Sequence, residues 1–427
     1  MKIAYRVLLT ITFLVILALI ISFARGYRLD FDKQSLTSTG IISVSAFPKA
    51  AKVYVNEILK GATDINLTLP AGDYQIEVKK DGYTSWKKQV KLLGELVLTL
   101  DVLLYPLNPS LSPLTNLGVS HIVPVAQSNK VLLFSETGDD EKDGIYIYES
   151  GQNPLSFFTP LKLVVLKKNL TNAIGNLDLK ETTVEIAPDA KEGIFSFETF
   201  TGPKSYLLSL DPPAGATSDL AGAEKVIFFD ISSSKDAIIQ AWTGLKQEAN
   251  QKILEAYPKE IAKVATDSFH VVEFSPDETK LLYLAKKTVT LPIAIKPRII
   301  GINQTPESRN IKENELYVYD RKEDRNYEIS WKSNVGSLMI NNQSSLQTSN
   351  FEPQTSISWY SDSKHLVINE GNKISFIDFD NLNKQTVYSG SFENNFYKVA
   401  SDGKILILTN LNPEANRLPD LYAVGIR

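Results

Sequence analysis

From residue 187 onward one short phrase keeps returning, and a chain that repeats a turn-and-strand unit folds by stacking those units on one another. It reads A-P-D-A-K-E-G-I-F-S-F at 187–197 and F-S-P-D-E-T-K-L-L-Y-L at 274–284. It returns as W-Y-S-D-S-K-H-L-V-I-N at 359–369 and V-A-S-D-G-K-I-L-I-L-T at 399–409, with a degraded copy, I-S-S-S-K-D-A-I-I-Q, at 231–240. Each copy is a polar turn followed by an apolar run, and most are followed by a second run, as at 205–211, 315–320 and 373–380. An Asp or Ser side chain can close such a turn by accepting a hydrogen bond from backbone two residues on. The runs are apolar on both faces, as in Leu281-Leu282-Tyr283-Leu284 and Ile405-Leu406-Ile407-Leu408, so they suit strands covered on both sides rather than half-solvated ones. The anchors Asp189, Ser234, Asp277, Asp362 and Asp402 lie 45, 43, 85 and 40 residues apart. That spacing fits the ~40–45-residue blade of a β-propeller with one blade enlarged. A β-sandwich with similar hairpins is the alternative.

Composition narrows the classes further. There is no cysteine, which removes disulfides, zinc-thiolate sites and thiol catalysis. Eighteen Tyr and 19 Phe against two Met suit strand-rich cores. The formal net charge is −4, and Lys2, Arg6, Arg25, Arg28 and Lys33 outnumber Asp30 and Asp32, so the acidic excess lies beyond residue 33. No basic stripe is available for nucleic acid, and no nucleic-acid partner is expected.

The stretch from Val7 to Ala24 runs 18 residues without a charge. As a helix it spans about 27 Å, and one further turn reaches the ~30 Å hydrocarbon thickness. It reads either as a retained signal-anchor or as a cleavable signal peptide with Ser22-Phe23-Ala24 before the cut. The length of the run, and Arg25 directly after that cut, favour the anchor. Basic residues flank both sides, so charge alone barely orients it; long domains translocate largely regardless of charge. The expected layout is a single-pass cell-membrane protein, N-terminus cytoplasmic and C-terminal domains extracytoplasmic.

Residues 40–105 show period-two alternation: Ile65, Leu67 and Leu69, then Tyr74, Ile76 and Val78, then Leu96, Leu98 and Leu100, with Gln75, Glu77 and Lys79 on the opposite face. Turn signals at 70–73 and 80–83 separate these strands. A small antiparallel sandwich is expected, with Trp86 and Tyr83 as core aromatics; an exposed glycan-binding pair is the alternative. The segment resembles a PEGA domain, a surface-associated β module of bacteria and archaea. The resemblance rests on Pro48-Lys49-Ala50-Ala51 before Val53-Tyr54-Val55, on Leu69-Pro70-Ala71-Gly72-Asp73-Tyr74, and on Gly82-Tyr83 with Trp86. Lys49 and Ala50 depart from the Glu and Gly of the name-giving tetrad. The order of anchor, Arg-Gly-Tyr-Arg at 25–28, PEGA module and propeller also resembles membrane-anchored PEGA proteins. The Ser-Pro-Asp phrases resemble TolB-like or WD-type propellers, a resemblance that implies a fold and no ligand.

The fold class expected is therefore mainly β: an N-terminal transmembrane helix (1–28), a juxtamembrane linker (29–39), a small PEGA-like sandwich (40–105), a Pro-rich spacer (106–118), and a propeller of about six blades (119–427). Strands are expected at 131–134 and 145–148, and further ones within 155–185. Residues 246–265 break the pattern: Ile253, Tyr257, Ile261 and Val264 recur at helical spacing and Pro258 splits two short helices. The stretch from Thr288 to Asn314, with three X-Pro steps, reads as an exposed, stiffened loop. These two insertions are the places to look for a partner.

No catalytic, cofactor-binding or metal-binding residue is assigned. His121, His270 and His365 are far apart, and no nucleophile, P-loop or metalloprotease motif occurs. Residues 139–144 imitate the start of a calcium loop, but Ser150 stands where a bidentate Glu is needed, so a solvated hairpin tip is expected. Scattered carboxylates could pair as in a glycosidase, but nothing in the sequence pairs them. The function expected is a non-enzymatic, membrane-tethered bacterial envelope protein that binds a protein or cell-surface polymer through its propeller, without cofactor. The alternatives are an envelope hydrolase or lyase, for which a cluster of acidic or His side chains in the channel would speak, and a structural surface-assembly subunit.

Overall fold

The computed structural model describes the chain apart from residues 1, 25–26, 31–34, 127, 152–159, 201, 212–228, 331–356, 415 and 427. Helix α1 (Lys2–Ala24) contains Tyr5–Ser22, long and apolar enough to cross a membrane and not buried against the protein. Arg25 and Gly26, of the basic flank, lie outside the described residues.

Eight strands follow: β1 (Tyr27–Asp30), β2 (Ser35–Phe47), β3 (Lys52–Val55), β4 (Ile58–Ala62), β5 (Ile65–Pro70), β6 (Gly72–Lys79), β7 (Trp86–Leu92) and β8 (Val97–Leu103). Two sheets form from them. In one, β2 lies between β1 and β5 and also pairs in parallel with β8; the other runs β4-β3-β6-β7. The alternation read from sequence is what closes them face to face. Ile42, Val44, Val53, Ile76, Val78, Trp86, Val90 and Leu100 are buried between the sheets, with Ile65, Leu67, Leu69, Tyr74 and Tyr83 packed at their margin. Ala50, where the family tetrad has Gly, keeps the left-handed backbone, with φ 58°.

Among the described residues beyond the sandwich lie five four-stranded antiparallel sheets, here called blades I to V. A short strand, β9 (Leu111–Pro113), precedes them. Blade I is β10 (Val119–Pro124), β11 (Lys130–Ser135), β12 (Gly144–Glu149) and β13 (Leu161–Leu166), followed by helix α2 (Lys167–Ile174). Blade II is β14 (Thr183–Ile186), β15 (Glu192–Thr199), β16 (Gly202–Ser209) and β17 (Phe229–Asp230). Helices α3 (Lys235–Glu255) and α4 (Lys259–Ser268) lead to blade III: β18 (Phe269–Phe274), β19 (Lys280–Ala285), then, after the short ladder of β20 (Val289–Thr290) and β21 (Asn310–Ile311), β22 (Leu316–Asp320) and β23 (Arg325–Glu328). Blade IV is β24 (Ile357–Trp359), β25 (His365–Asn369), β26 (Lys373–Asp378) and β27 (Gln385–Ser389). Blade V is β28 (Tyr397–Val399), β29 (Ile405–Thr409) and β30 (Asp420–Val424), and its fourth strand is β9.

Shared cores give the order of the blades. Leu132 and Phe134 of β11 pack with Phe195 and Phe197 of blade II, whereas Val131 and Leu133 of the same strand pack with Leu406 and Leu408 of blade V. Ile405 and Ile407 turn the other way, onto Val367 and Phe376 of blade IV. Leu282 and Val318 of blade III pack with Leu366 and Ile368. A second strand covered on both faces, by two neighbouring blades for β11 and β29 and by blade IV and helix α4 for β19, has to be apolar throughout, which is the two-sided run seen in the sequence. The last blade lies beside the first, as in a propeller, and β9 ties the start of the ring to its end.

Several expectations change. Five such sheets occur among the described residues, against an expectation of about six with five to seven allowed. The degraded repeat at 231–240 is not a strand: Ile238 and Ile239 lie in α3, which starts at Lys235 behind the polar Ser232-Ser233-Ser234, and the stretch lacks period-two alternation. The end of α3 and helix α4 cover blade III: Leu254, Tyr257, Ile261 and Ala265 pack on Leu281, Tyr283 and Tyr319. Leu111 to Pro113, within the expected spacer, are a blade strand. The stretch from Thr288 to Asn314 is not a free loop. Leu291 and Ile311 are buried, and Arg298 and Arg309 are paired with Glu307 and the fully buried carboxylate of Asp324.

Candidate functional site: the collar of the ring

The repeated phrase is the hairpin between the first and second strand of a blade. In four blades the turn is closed by the same set of bonds. The N–H of Ala190, Glu278, Ser363 and Gly403 donates to the carbonyl three residues back. The anchor carboxylate then accepts from the N–H two residues on: Asp189 from Lys191 (3.1 Å), Asp277 from Thr279 (3.1 Å), Asp362 from Lys364 (2.9 Å) and Asp402 from Lys404 (3.1 Å). Below each turn the N–H of Ala187, Ser275 and Tyr360 reaches the carbonyl five residues ahead, as does that of Val125 in blade I, and Ala400 reaches four ahead. These bonds put Val125, Ala187, Ser275, Tyr360 and Ala400 at equivalent places.

Two residues before each of them lies another equivalent set: Val123, Glu185, Glu273, Ser358 and Lys398. All five are half-buried, on first strands, while the second strands β11, β19, β25 and β29 are almost wholly buried. The first strands also reach each other across blades. Trp359 N–H donates to Glu273 Oε2 (3.0 Å) and its Nε1–H to the Glu273 carbonyl (3.2 Å). Tyr397 hydroxyl donates to Ser358 Oγ (3.2 Å), and Lys398 Nζ donates to the Val125 carbonyl (2.8 Å). The equivalent positions therefore form a collar at the turn end of the first strands, polar at four of its five places.

Two of its charged members, Glu273 and Lys398, sit in a poorly solvated setting. Burial pushes the Glu273 carboxyl up to about 7, against the opposing pull of the Trp359 N–H and the Lys398 charge. Burial pushes the Lys398 ammonium down to about 8, with the Glu273 charge resisting. A carboxyl and an amine that both change charge near neutrality can hold polar ligand groups or pass a proton.

The histidines do not converge on the collar. His365 lies on β25 in blade IV, buried between Asp362 (Nδ1 to Oδ2, 2.7 Å) and Asp378 (Nε2 to Oδ1, 3.3 Å). Burial alone would lower its pKa, but the two carboxylates outweigh it and raise it to about 10, a structural cation. His121 on β10 lies against Phe134 and is lowered by burial; His270 on β18 is lowered by burial and by Lys286 and Lys246. In the would-be calcium loop Asp143 accepts from Thr137 N–H, Thr137 hydroxyl and Gly138 N–H, which makes it a turn-closing residue. No group of three or more His, Asp or Glu able to hold a metal ion occurs among the described residues.

Sequence reasoning missed the collar and the seam between the modules. The collar had a signal: Glu185, Glu273, Ser358 and Lys398 each stand four residues before an anchor Asp. The seam had none. Trp86 Nε1–H donates to Asp378 (3.2 Å), Lys88 pairs with Asp380 (2.6 Å), and Asn303 and Thr305 also donate to Asp380. Gln304 bonds both the N–H and the carbonyl of Lys91. Leu103 and Tyr105 join the core shared by blades IV and V.

The geometry defines a β-sandwich docked against a ring of antiparallel blades behind an apolar N-terminal helix. Residues 39–108 match the PEGA domain family, so the chain carries a PEGA domain. No curated protein matches the chain. Among solved structures, it is similar to one assigned as TolB from Agrobacterium tumefaciens, at 10% identity over 66% of this chain and 64% of the other, with a TM-score of 0.18. This chain thus spans under two thirds of that protein's length. It is also similar to the periplasmic gluconolactonase of Pseudomonas aeruginosa, at 12% identity over 94% of both chains and a TM-score of 0.16. Scores this low leave the ring resting on its own strand order and shared cores.

Proposed function

We propose that the protein is a non-enzymatic, membrane-tethered component of the bacterial cell envelope, which presents the ring outside the membrane to bind a protein or a cell-surface polymer. The observation that carries this reading is the collar. Repeated folding places polar side chains at one level of a rigid ring, and α1 holds that ring at the membrane, where tethering raises its local concentration. Proximity labelling from the C-terminus in intact cells tests it. Extracytoplasmic neighbours that disappear in a Glu273→Gln, Lys398→Met variant are expected; mostly cytosolic neighbours would overturn both location and role.

A second reading, an envelope hydrolase or lyase, is favoured by one feature: the carboxyl and amine of Glu273 and Lys398 are both shifted toward neutrality. Turnover of a cell-wall polymer by the purified chain, lost on Glu273→Gln, would decide for it.

A further inference from the structure

We infer that the insertion tip at residues 299–301, with Ile41 and Val97 on the outer face of the PEGA sandwich, rests on the lipid bilayer that α1 enters. The inference depends on α1 being a retained anchor. Tyr27, three residues after the end of α1, pairs with Ser38. Three residues reach at most about 10 Å, so the helix leaves close to Ser38. Ser38 packs directly on Gly94, where an added Cβ would come within 2.1 Å of its hydroxyl oxygen. Glu95 N–H donates to the Thr39 carbonyl and Ile41 N–H to the Leu96 carbonyl, both at 2.9 Å, so the turn between β7 and β8 marks the membrane-proximal end of the sandwich.

The insertion meets the sandwich at this end. A Cβ on Gly301 would lie 3.3 Å from Leu96 Cδ1. Beside that contact Ile299 and Ile300 are 40% and 71% exposed, and the cross-strand partners Ile41 and Val97 are 36% and 57% exposed. One exposed isoleucine needs no explanation, but several at one end, next to a membrane span, form a surface. Lys296, also exposed, adds a cation suited to anionic headgroups, with Glu95 as the opposing charge. Nor can the tip simply fold away. Arg298 is bound to Asp324 and Glu307, Asn303 to Asp380, and Gln304 to Lys91. Two contacts, the helix and this patch, would orient the ring relative to the bilayer.

The lack of cysteine allows a single-site test on the full chain in phosphatidylcholine–phosphatidylglycerol vesicles. An environment-sensitive fluorophore on Ile300→Cys is expected to shift to the blue and to be quenched by nitroxide on the lipid chains, and both effects should be lost when Ile299→Asp is added. The same label on Leu411→Cys, exposed on the ring, should remain quenched only from water. Label on Leu14→Cys reports α1. Lipid quenching at 14 but not at 300 would overturn the inference and leave the anchor standing. Quenching at neither would reject the anchor and the inference together. Shielding at 300 from water without lipid quenching would mean contact between copies of the chain, and would also overturn it.

Discussion

At the scale of single residues, the repeat works through carboxylates that close turns. For Asp277, burial acts to raise the pKa, but hydrogen bonds from Ser275 hydroxyl and from Thr279 N–H and hydroxyl outweigh it and bring it to about 2. A depressed carboxyl contributes stability that is present above its unfolded pKa and lost as pH falls toward 2. Asp277→Ala should cost about 1 kcal/mol at pH 7 and flatten that acid limb, as urea melts at a series of pH values will show. Glu273 has the opposite sign. Its carboxyl is raised, so the folded state holds the extra proton and stability falls as pH rises from 4.5 to about 7. Glu273→Gln should abolish that fall; a fall unchanged in the variant would mean another group causes it. Ala50 keeps φ 58° without being glycine. Ala50→Gly should gain about 0.5–1 kcal/mol, read from the denaturation midpoint.

At the scale of elements, α4 and the seam carry the clearest costs. Ile261 is fully buried against blade III, so Ile261→Ala should cost about 2–5 kcal/mol. At the seam, burial would raise the Asp380 carboxyl, but the Lys88 charge and the donors on Lys88, Thr305 and Asn303 hold it low. Only 1% of its side chain is exposed. Removing one partner of such a pair costs about 3–5 kcal/mol because the other charge stays buried. Lys88→Met should therefore destabilise strongly, and adding Asp380→Asn should restore part of the loss. A double variant no better than the single one would deny the pair its importance.

At the scale of the whole molecule, sandwich and ring are joined by buried side chains rather than by a slack spacer. The chain should unfold in one calorimetric transition, which Lys88→Met should separate into two. Two transitions in the unmodified protein would show that the seam is weak.

Much of this was legible in the residues. The Asp-centred turns follow from local chemistry, since an anchor carboxylate and the N–H two residues on are neighbours in sequence. The alternation of β5, β6 and β8 follows from the geometry of a half-buried strand, and the charge-free run before Ala24 from the cost of polar groups in lipid. The stretch at 231–240 misled because a short polar segment followed by two isoleucines fits a turn and strand as well as a capped helix; packing against blade III settles the helix that follows. The seam belongs to tertiary structure alone, and the four-residue offset of the collar residues from the anchors becomes a site only in the fold. Glu273 and Lys398 are 125 residues apart in the chain and Lys88 and Asp380 are 292 apart. Only the packing of blade on blade, and of the sandwich on the blades, makes neighbours of them, and the burial that comes with it shifts Glu273 and Lys398 toward neutrality.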